Sequence, residues 1–451
     1  MENVKLEKIA RWCSGKATDI KLLKKSCCGI STDTRTIKKN EVFIALKGEN
    51  FDGNHFIDSA FQKGAVAAIV TADSVSRGKK IITVRNSLKA LGDIAKGYRK
   101  EFDSYLIGIT GSDGKTTTKE FLRKTLSVRY SVRATEGNFN NEIGLPLSIF
   151  NLDNKTDFCI LEMGMNKKDE LRYLGEIAGA QAGVITNTAS AHIGFFKNEY
   201  AIAEAKSELV ESLKGEKLCV LNYDNKFFGF FRKKAGCNTL SFGCKKGADV
   251  RGIVAHEGND FFFFSIEGEN RLFRINYWNT SIIYAALVSF AFGRKFGIAG
   301  NEMADVFQSI TPLPGRGLIH SLPDITIIDE TYNCNPNSLR SALCNFSRKD
   351  FKRKIVVLGD MAELGRFSSF FHHNTGTVIR NLDIDTVITF GEKSRIIRKA
   401  AGSECRHFEN VEDVNKHLSR IVRKGDAILV KGSRIMKMER ITDYLYEKYG
   451  R

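Results

Sequence analysis

Short apolar runs recur along the chain, separated by polar or glycine-rich breaks and by stretches whose apolar residues return at helical spacing. Such alternation predicts strand–helix units and open, mostly parallel sheets. The most informative unit begins with the strand Tyr105-Leu106-Ile107. Gly108-Ile109-Thr110-Gly111-Ser112-Asp113-Gly114-Lys115-Thr116-Thr117 follows, and Thr118 to Arg129 then carries Phe121, Leu122, Thr125 and Leu126 on one helical face. Strand, glycine loop and helix form the context of a phosphate-binding loop. Glycines let backbone N–H groups crowd an anion, and the helix N-terminus adds positive partial charge. Lys115 can reach terminal phosphates, and the Thr116 hydroxyl can hold Mg²⁺. The general P-loop pattern places its first glycine where Ile109 stands; here Gly108 lies one residue earlier.

The same pattern divides the chain into three segments, at residues 1–100, 101–313 and 314–451. In the first, Glu41 to Leu46 and Ala65 to Val70 predict strands, and Phe56 to Phe61 a helix stopped by Gly64. Thr32-Asp33-Thr34-Arg35 reads as turn chemistry on physical grounds. In the second, Thr135-Glu-Gly137-Asn138-Phe-Asn140-Asn141 is either an Asx-turn loop or a hydrogen-bonding surface. Phe158 to Leu161 predicts a buried strand with Glu162 at its C-terminal end, where ligands of open sheets bind and a carboxylate can hold Mg²⁺. Ala182 to Thr186 predicts another strand, with His192 just past its end, either structural or a ligand. Glu199 to Leu213 predicts a helix with Lys206 on the stripe Ile202, Ala205, Leu209, Leu213; such a lysine either snorkels to water or is buried and reactive. The Phe261–Phe264 run and Leu272 to Tyr277 predict a hairpin whose phenylalanines are sheet core. Asn279 to Gly293 and Asn301 to Ile310 predict helices, and Pro312 to Gly317 a linker in which Arg316 is surface punctuation or phosphate-facing.

In the third segment, Ile325 to Asp329, Lys354 to Leu358, Asp385 to Phe390 and Ala427 to Val430 predict a second open sheet without a P-loop. Three polar clusters fall at its strand ends: Asp329-Glu330-Thr-Tyr332-Asn333-Cys-Asn335-Pro336, Gly359-Asp360-Met-Ala-Glu363, and Lys431-Gly-Ser433-Arg434. Their shared edge predicts a site facing the P-loop across a cleft. The fold class is therefore α/β: a small N-terminal domain, a central P-loop open-sheet domain and a C-terminal Rossmann-like open-sheet domain.

Length and charge refine this picture. A chain of 451 residues has room for several domains. The N-terminus has no apolar signal region and no run approaches transmembrane length, so a cytoplasmic protein that does not span a membrane is expected. The ten cysteines show no zinc or paired spacing, which favours reduced, mostly buried thiols. The net charge of +17 is dispersed rather than built into an aromatic-interleaved basic repeat, so no nucleic-acid partner is expected.

The order of Gly-Ile-Thr-Gly-Ser-Asp-Gly-Lys-Thr-Thr, Gly-Asn-Phe-Asn-Asn-Glu-Ile-Gly-Leu-Pro, Leu-Glu-Met-Gly, Ala-His-Ile-Gly, Ala-Lys-Ser-Glu-Leu and Lys-Gly-Ser-Arg resembles the Mur ligase family along nearly the whole chain. Asp-Glu-Thr-Tyr-Asn-Cys-Asn-Pro and Leu-Gly-Asp-Met-Ala-Glu-Leu-Gly resemble the branch that adds D-alanyl-D-alanine to UDP-N-acetylmuramoyl-tripeptide. The Asp-Asn-Pro-Arg motif of the diaminopimelate-adding branch is absent, and folylpolyglutamate synthetase does not share this third-domain signature. The resemblance implies an ATP-dependent ligase of peptidoglycan precursor synthesis, acting through an acyl phosphate, and a monomer.

The resemblance also implies roles for individual residues. Thr34 and Arg35 would lie near UDP, and Asn138 and Asn141 near the sugar-peptide. Gly111, Ser112, Asp113, Gly114, Lys115, Thr116, Thr117, Asn279, Arg316 and Asp329 would bind ATP. Thr116, Glu162, His192 and Lys206, the last as a carbamate, would serve two Mg²⁺ sites. Tyr332 and Asn335 would line the dipeptide. Thr34 replaces a usual Ser, Glu330 a usual Asp, and Trp278 and Ile282 stand where the family's His-Asn-x-x-Asn has His and its second Asn. A P-loop switch and a nucleic-acid-stimulated ATPase are the rival classes; neither would need both an amine and a carboxylate.

Overall fold

The structure, a computed structural model, describes residues 1–48, 51–72, 80–191 and 193–450. Three α/β units follow one another. The first holds a five-stranded sheet in the order Lys16–Ala17, Ile81–Val84, Ala67–Thr71, Glu41–Ile44, Gly29–Ser31, parallel except for its first pair. The central unit is a nine-stranded sheet. Val132–Ala134, Phe158–Glu162, Tyr105–Thr110, Ala182–Ile185, Leu218–Asn222, Asn238–Gly243 and Val250–Glu257 run parallel in that order. The antiparallel strands Phe262–Ile266 and Leu272–Ile275 extend it. The third unit has six strands: Leu318–Ser321 lies antiparallel to Ile325–Glu330, and Asp426–Lys431, Arg353–Gly359, Thr386–Phe390 and Cys405–Phe408 follow in parallel.

Central strands are apolar on both faces because helices cover both, as parallel sheets require. Ile107 and Ile109 pack on one side with Phe121, Leu122 and the helix Ile283–Lys295. Leu106 and Leu161 pack on the other with Leu209 and Leu213. In the phenylalanine run alternation decides burial: Phe262 and Phe264 are fully buried. Phe261 and Phe263 face outward, with the Arg274 guanidinium 4.8 and 5.8 Å from their ring centres.

The P-loop helix runs Lys115–Leu126, three residues earlier at each end than its apolar spacing suggests, because Gly114 (φ 77°) closes the loop and the first helical turn begins at once. The predicted helix from Asn279 instead opens with a 3₁₀ turn, Thr280–Ile282, capped by the Asn279 side chain. All ten cysteines are free thiols, six of them buried. No helix among the described residues is long and apolar enough to cross a membrane.

Candidate active site

The phosphate loop is pinned from below by the segment following Ala182–Ile185. Ser112 N–H donates to the Asn187 carbonyl at 3.1 Å, and Asp113 N–H to Asn187 Oδ1 at 2.8 Å. Ser112 Oγ donates to the Ala189 carbonyl at 3.0 Å. Gly111, at φ 156°, tolerates no side chain: a Cβ there would lie 1.8 Å from Thr186 Oγ1. Lys115 Nζ bridges the loop to the Gly111 carbonyl at 2.7 Å, and no side chain caps the helix start. The first-turn N–H groups therefore remain available to an anion.

Beside this loop is a group of hard oxygen donors. Thr116 Oγ1 donates to Glu162 Oε2 at 2.8 Å, and Asn140 Nδ2 donates to Glu162 Oε1 at 3.0 Å. Glu162 is buried at the end of its strand, its own N–H bonded to Thr135 Oγ1 at 3.0 Å. Hydroxyl and carboxylate oxygens side by side suit Mg²⁺, which takes one or two protein oxygens and completes its shell with phosphates and water. Among the described residues no cluster of three His, Cys, Asp or Glu side chains competes as a metal site. His192 lies outside the described residues.

Lys206 is only 2% exposed, so it does not snorkel. Burial pushes its ammonium well below the ordinary lysine range. Lys115 pushes in the same direction, and Asp113 opposes. Its place on helix Glu199–Glu211 thus brings its amine into the electrostatic reach of the phosphate loop.

The third unit meets this loop. Asn335 caps helix Pro336–Ser347, its Oδ1 accepting from the N–H groups of Asn337 and Ser338, while its Nδ2 donates to Asp113 Oδ1. Gly194 N–H donates to the Glu363 carbonyl at 2.9 Å, a second seam between the units. Lys349 Nζ makes a third, to Glu257 and to the Gly258 carbonyl at 2.6 and 2.7 Å. The strands ending at Glu330, Lys431 and Gly359 are neighbours, so the three polar clusters share one edge. Lys431 Nζ holds Glu330 Oε2 at 2.9 Å, and Ser433 Oγ donates to the Cys334 carbonyl at 3.1 Å.

Other expected site residues are placed less directly. Asp329 is buried and already accepts from Gly315 N–H at 2.8 Å and Thr331 Oγ1 at 2.6 Å. Asn279 spends its oxygen on the Ser281 N–H at 2.9 Å. Asn141 spends its own on the N–H groups of Ile143 and Gly144, at 3.2 and 2.9 Å, so the turn reading describes this oxygen. Asn138 is exposed on the same loop, and Thr117 is half-buried one residue past Thr116. Arg35 folds back on Asp33 in the first unit, with Nη2–Oδ2 at 2.6 Å, and the Thr34 carbonyl accepts from Lys63 Nζ at 2.8 Å. Sequence reasoning missed Asn140 as the partner of Glu162 and Asn187 as the clamp on Asp113. Both sit in polar stretches past strand ends, which was their only signal.

Family models match this architecture in chain order: "Mur ligase family, catalytic domain" over residues 27–99, "Mur ligase middle domain" over 109–293, and "Mur ligase, glutamate ligase domain" over 315–434. The UDP-N-acetylmuramoyl-tripeptide–D-alanyl-D-alanine ligase of Bacillus subtilis is 34% identical over 419 residues, 91% of each chain. The chain belongs to the Mur ligase family. The ligase of the same name from Haemophilus influenzae is 30% identical, again over 91% of each chain. Among solved structures, MurF ligase from Thermotoga maritima in complex with ADP superposes with a TM-score of 0.84 at 30% identity, covering 93% of this chain and 97% of that one. MurF from Acinetobacter baumannii shares the fold at a TM-score of 0.91, 24% identity and 99% coverage of both chains. This Mur ligase therefore has its family's three-unit α/β architecture, with the glycine-rich loop in the middle unit.

Proposed function

We propose that this Mur ligase joins D-alanyl-D-alanine to the terminal carboxylate of UDP-N-acetylmuramoyl-tripeptide, using ATP, as a monomer in the cytoplasm. Residues 1–100 would carry the UDP end through Thr34 and Arg35, residues 101–313 ATP, and residues 314–451 the dipeptide. The observation that carries the reading is the Asn335–Asp113 hydrogen bond, because it brings the third unit's strand-end motif onto the phosphate loop. Two substrates held by different units then share one cleft. The names of the relatives support the identity of those substrates.

A carboxylate is a poor acyl donor to an amine in water. Transfer of the γ-phosphoryl group forms a carboxylate O–P bond and breaks the bond to ADP. The amine nitrogen then forms the C–N bond, phosphate leaves with the C–O electron pair, and the amine gives up a proton. Loop amides and the Lys115 ammonium hold the phosphates through this transfer. Thr116, Glu162 and His192 would hold two Mg²⁺, which when bound neutralise charge on the phosphates. Asn140 orients the Glu162 carboxylate, and Thr135 holds the Glu162 backbone N–H. Asn138 and Asn141 would guide the sugar-peptide, while Asn279, Arg316 and Asp329 would fix ATP. The seams at Gly194 and Asn335 would help exclude water from the reactive acyl phosphate.

Lys206 fits a carbamate. A neutral buried amine forms an N–C bond to CO₂, one C=O pair moves to oxygen, and the nitrogen loses a proton. A neutral amine within the field of Lys115 becomes an anion, which suits a site that gathers Mg²⁺.

Phosphate release assayed against a panel of UDP-muramoyl peptides and amines tests the whole reading. Release should require both tripeptide and D-alanyl-D-alanine, and mass spectrometry should show the pentapeptide. Turnover with free diaminopimelate or lysine as the sole amine contradicts it.

A further inference from the structure

The linker into the third unit folds back so tightly that two residues expected at opposite substrates touch. The Arg316 guanidinium carbon lies 3.6 Å from the centre of the Tyr332 ring, the distance of a planar cation lying flat on an aromatic face. Neither partner is free to drift. Tyr332 N–H donates to the Gly315 carbonyl at 2.9 Å, and Gly317 N–H to the Asp329 carbonyl at 2.7 Å. Gly315 N–H donates to the Asp329 carboxylate at 2.8 Å. The hydroxyl of Tyr277, just past the last strand of the central sheet, donates to the Arg316 carbonyl. Arg316 is thus held at its backbone by the ATP-binding unit and at its side chain by the third. Among the described residues no carboxylate pairs with its guanidinium, so the N–H edge stays available to an incoming anion.

We propose that Tyr332 is a positioning residue for ATP: its ring holds the Arg316 guanidinium flat, with the N–H edge presented to the nucleotide phosphates. This replaces the dipeptide contact that the family resemblance implies for Tyr332, and it rests on the reading that Arg316 faces ATP. An arginine ordered before the nucleotide arrives loses less rotamer freedom on binding. A ring at this position therefore acts on nucleotide affinity while touching no nucleotide atom.

The test is ATP binding by calorimetry to the full-length protein, without the carboxylate substrate so that no turnover occurs, together with KM for the dipeptide. Tyr332→Leu should weaken ATP about five- to tenfold, leave the dipeptide KM within about twofold, and have no further effect in an Arg316→Ala background. Tyr332→Phe, which keeps the ring, should retain ATP affinity. Tyr332→Met serves as a second ring-free variant if Leu lowers the thermal midpoint. If Arg316→Ala leaves ATP affinity unchanged, the ATP reading of Arg316 fails and the inference with it. If Arg316→Ala weakens ATP but Tyr332→Leu does not, the inference alone is overturned. A dipeptide KM that rises with ATP affinity intact returns Tyr332 to the amine, and an undiminished Tyr332→Leu effect without Arg316 also overturns the inference.

Discussion

Lys206 carries an ammonium into a helix face packed on a parallel sheet, and the cost of that placement falls on the charged form. Its folded pKa is depressed by burial first and by Lys115 second, so between that value and the ordinary lysine range the unfolded chain binds more protons than the folded one. The linkage sign is then fixed: the penalty is full at low pH and is relieved as pH rises through that window. In CO₂-free buffer, Lys206→Met should raise the urea midpoint at neutral pH, and its advantage over the parent should shrink toward pH about 10. The same variant should lose activity by at least ~10²-fold. Lys206→Ala should regain part of its activity in acetate or formate; full activity without CO₂ or carboxylate would reduce Lys206 to a packing residue. Lys115→Ala should leave circular dichroism unchanged while phosphate release falls ~10²-fold or more, because a half-buried loop cation is lost without any packed volume. The Lys206 stripe was legible in the sequence because three-and-four spacing places a residue on a face. Its burial was not, since the same spacing serves a lysine that reaches water.

At the scale of elements, strand ends were the most readable feature. A long apolar run closed by a polar cluster identifies a central parallel strand together with its C-terminal end, and the strand-end places of Glu162 and Asp329 were legible from that pattern. The strands Val132–Ala134, Leu318–Ser321 and Cys405–Phe408 escaped because edge strands need less apolar surface. Asn238–Gly243 and Val250–Glu257 escaped because their outer positions are polar or exposed. The phosphate loop is the element most sensitive to substitution. Gly111→Ala must displace the Thr186 hydroxyl, so it should lower the thermal midpoint and nucleotide affinity together, unlike Lys115→Ala, which should lower affinity alone. A Gly111→Ala protein that melts and binds normally would show that the loop is not clamped to Thr186.

At the scale of the molecule, little of the seam between the central and third units could be read in advance, because contacts between distant segments leave no periodicity. The shared edge of three polar clusters gave the direction of the cleft but not the residues that close it. Gly194 is one of these: a Cβ would stand 2.7 Å from both the Glu363 carbonyl oxygen and the Gly365 nitrogen, backbone atoms that move only if the unit moves. Gly194→Ala should therefore enlarge the radius of gyration in small-angle scattering and depress kcat, with each unit's helix content intact. An unchanged scattering profile with normal turnover would show that this contact does not govern closure. The Asn335–Asp113 hydrogen bond has a further consequence, because one end lies in the phosphate loop and the other caps a helix of the third unit, proposed to carry the dipeptide. Occupancy at either end biases the same equilibrium, and the resulting coupling free energy is reciprocal. By whatever factor ATP tightens the dipeptide, the dipeptide must tighten ATP, and removing the Asn335 amide should shrink both factors equally.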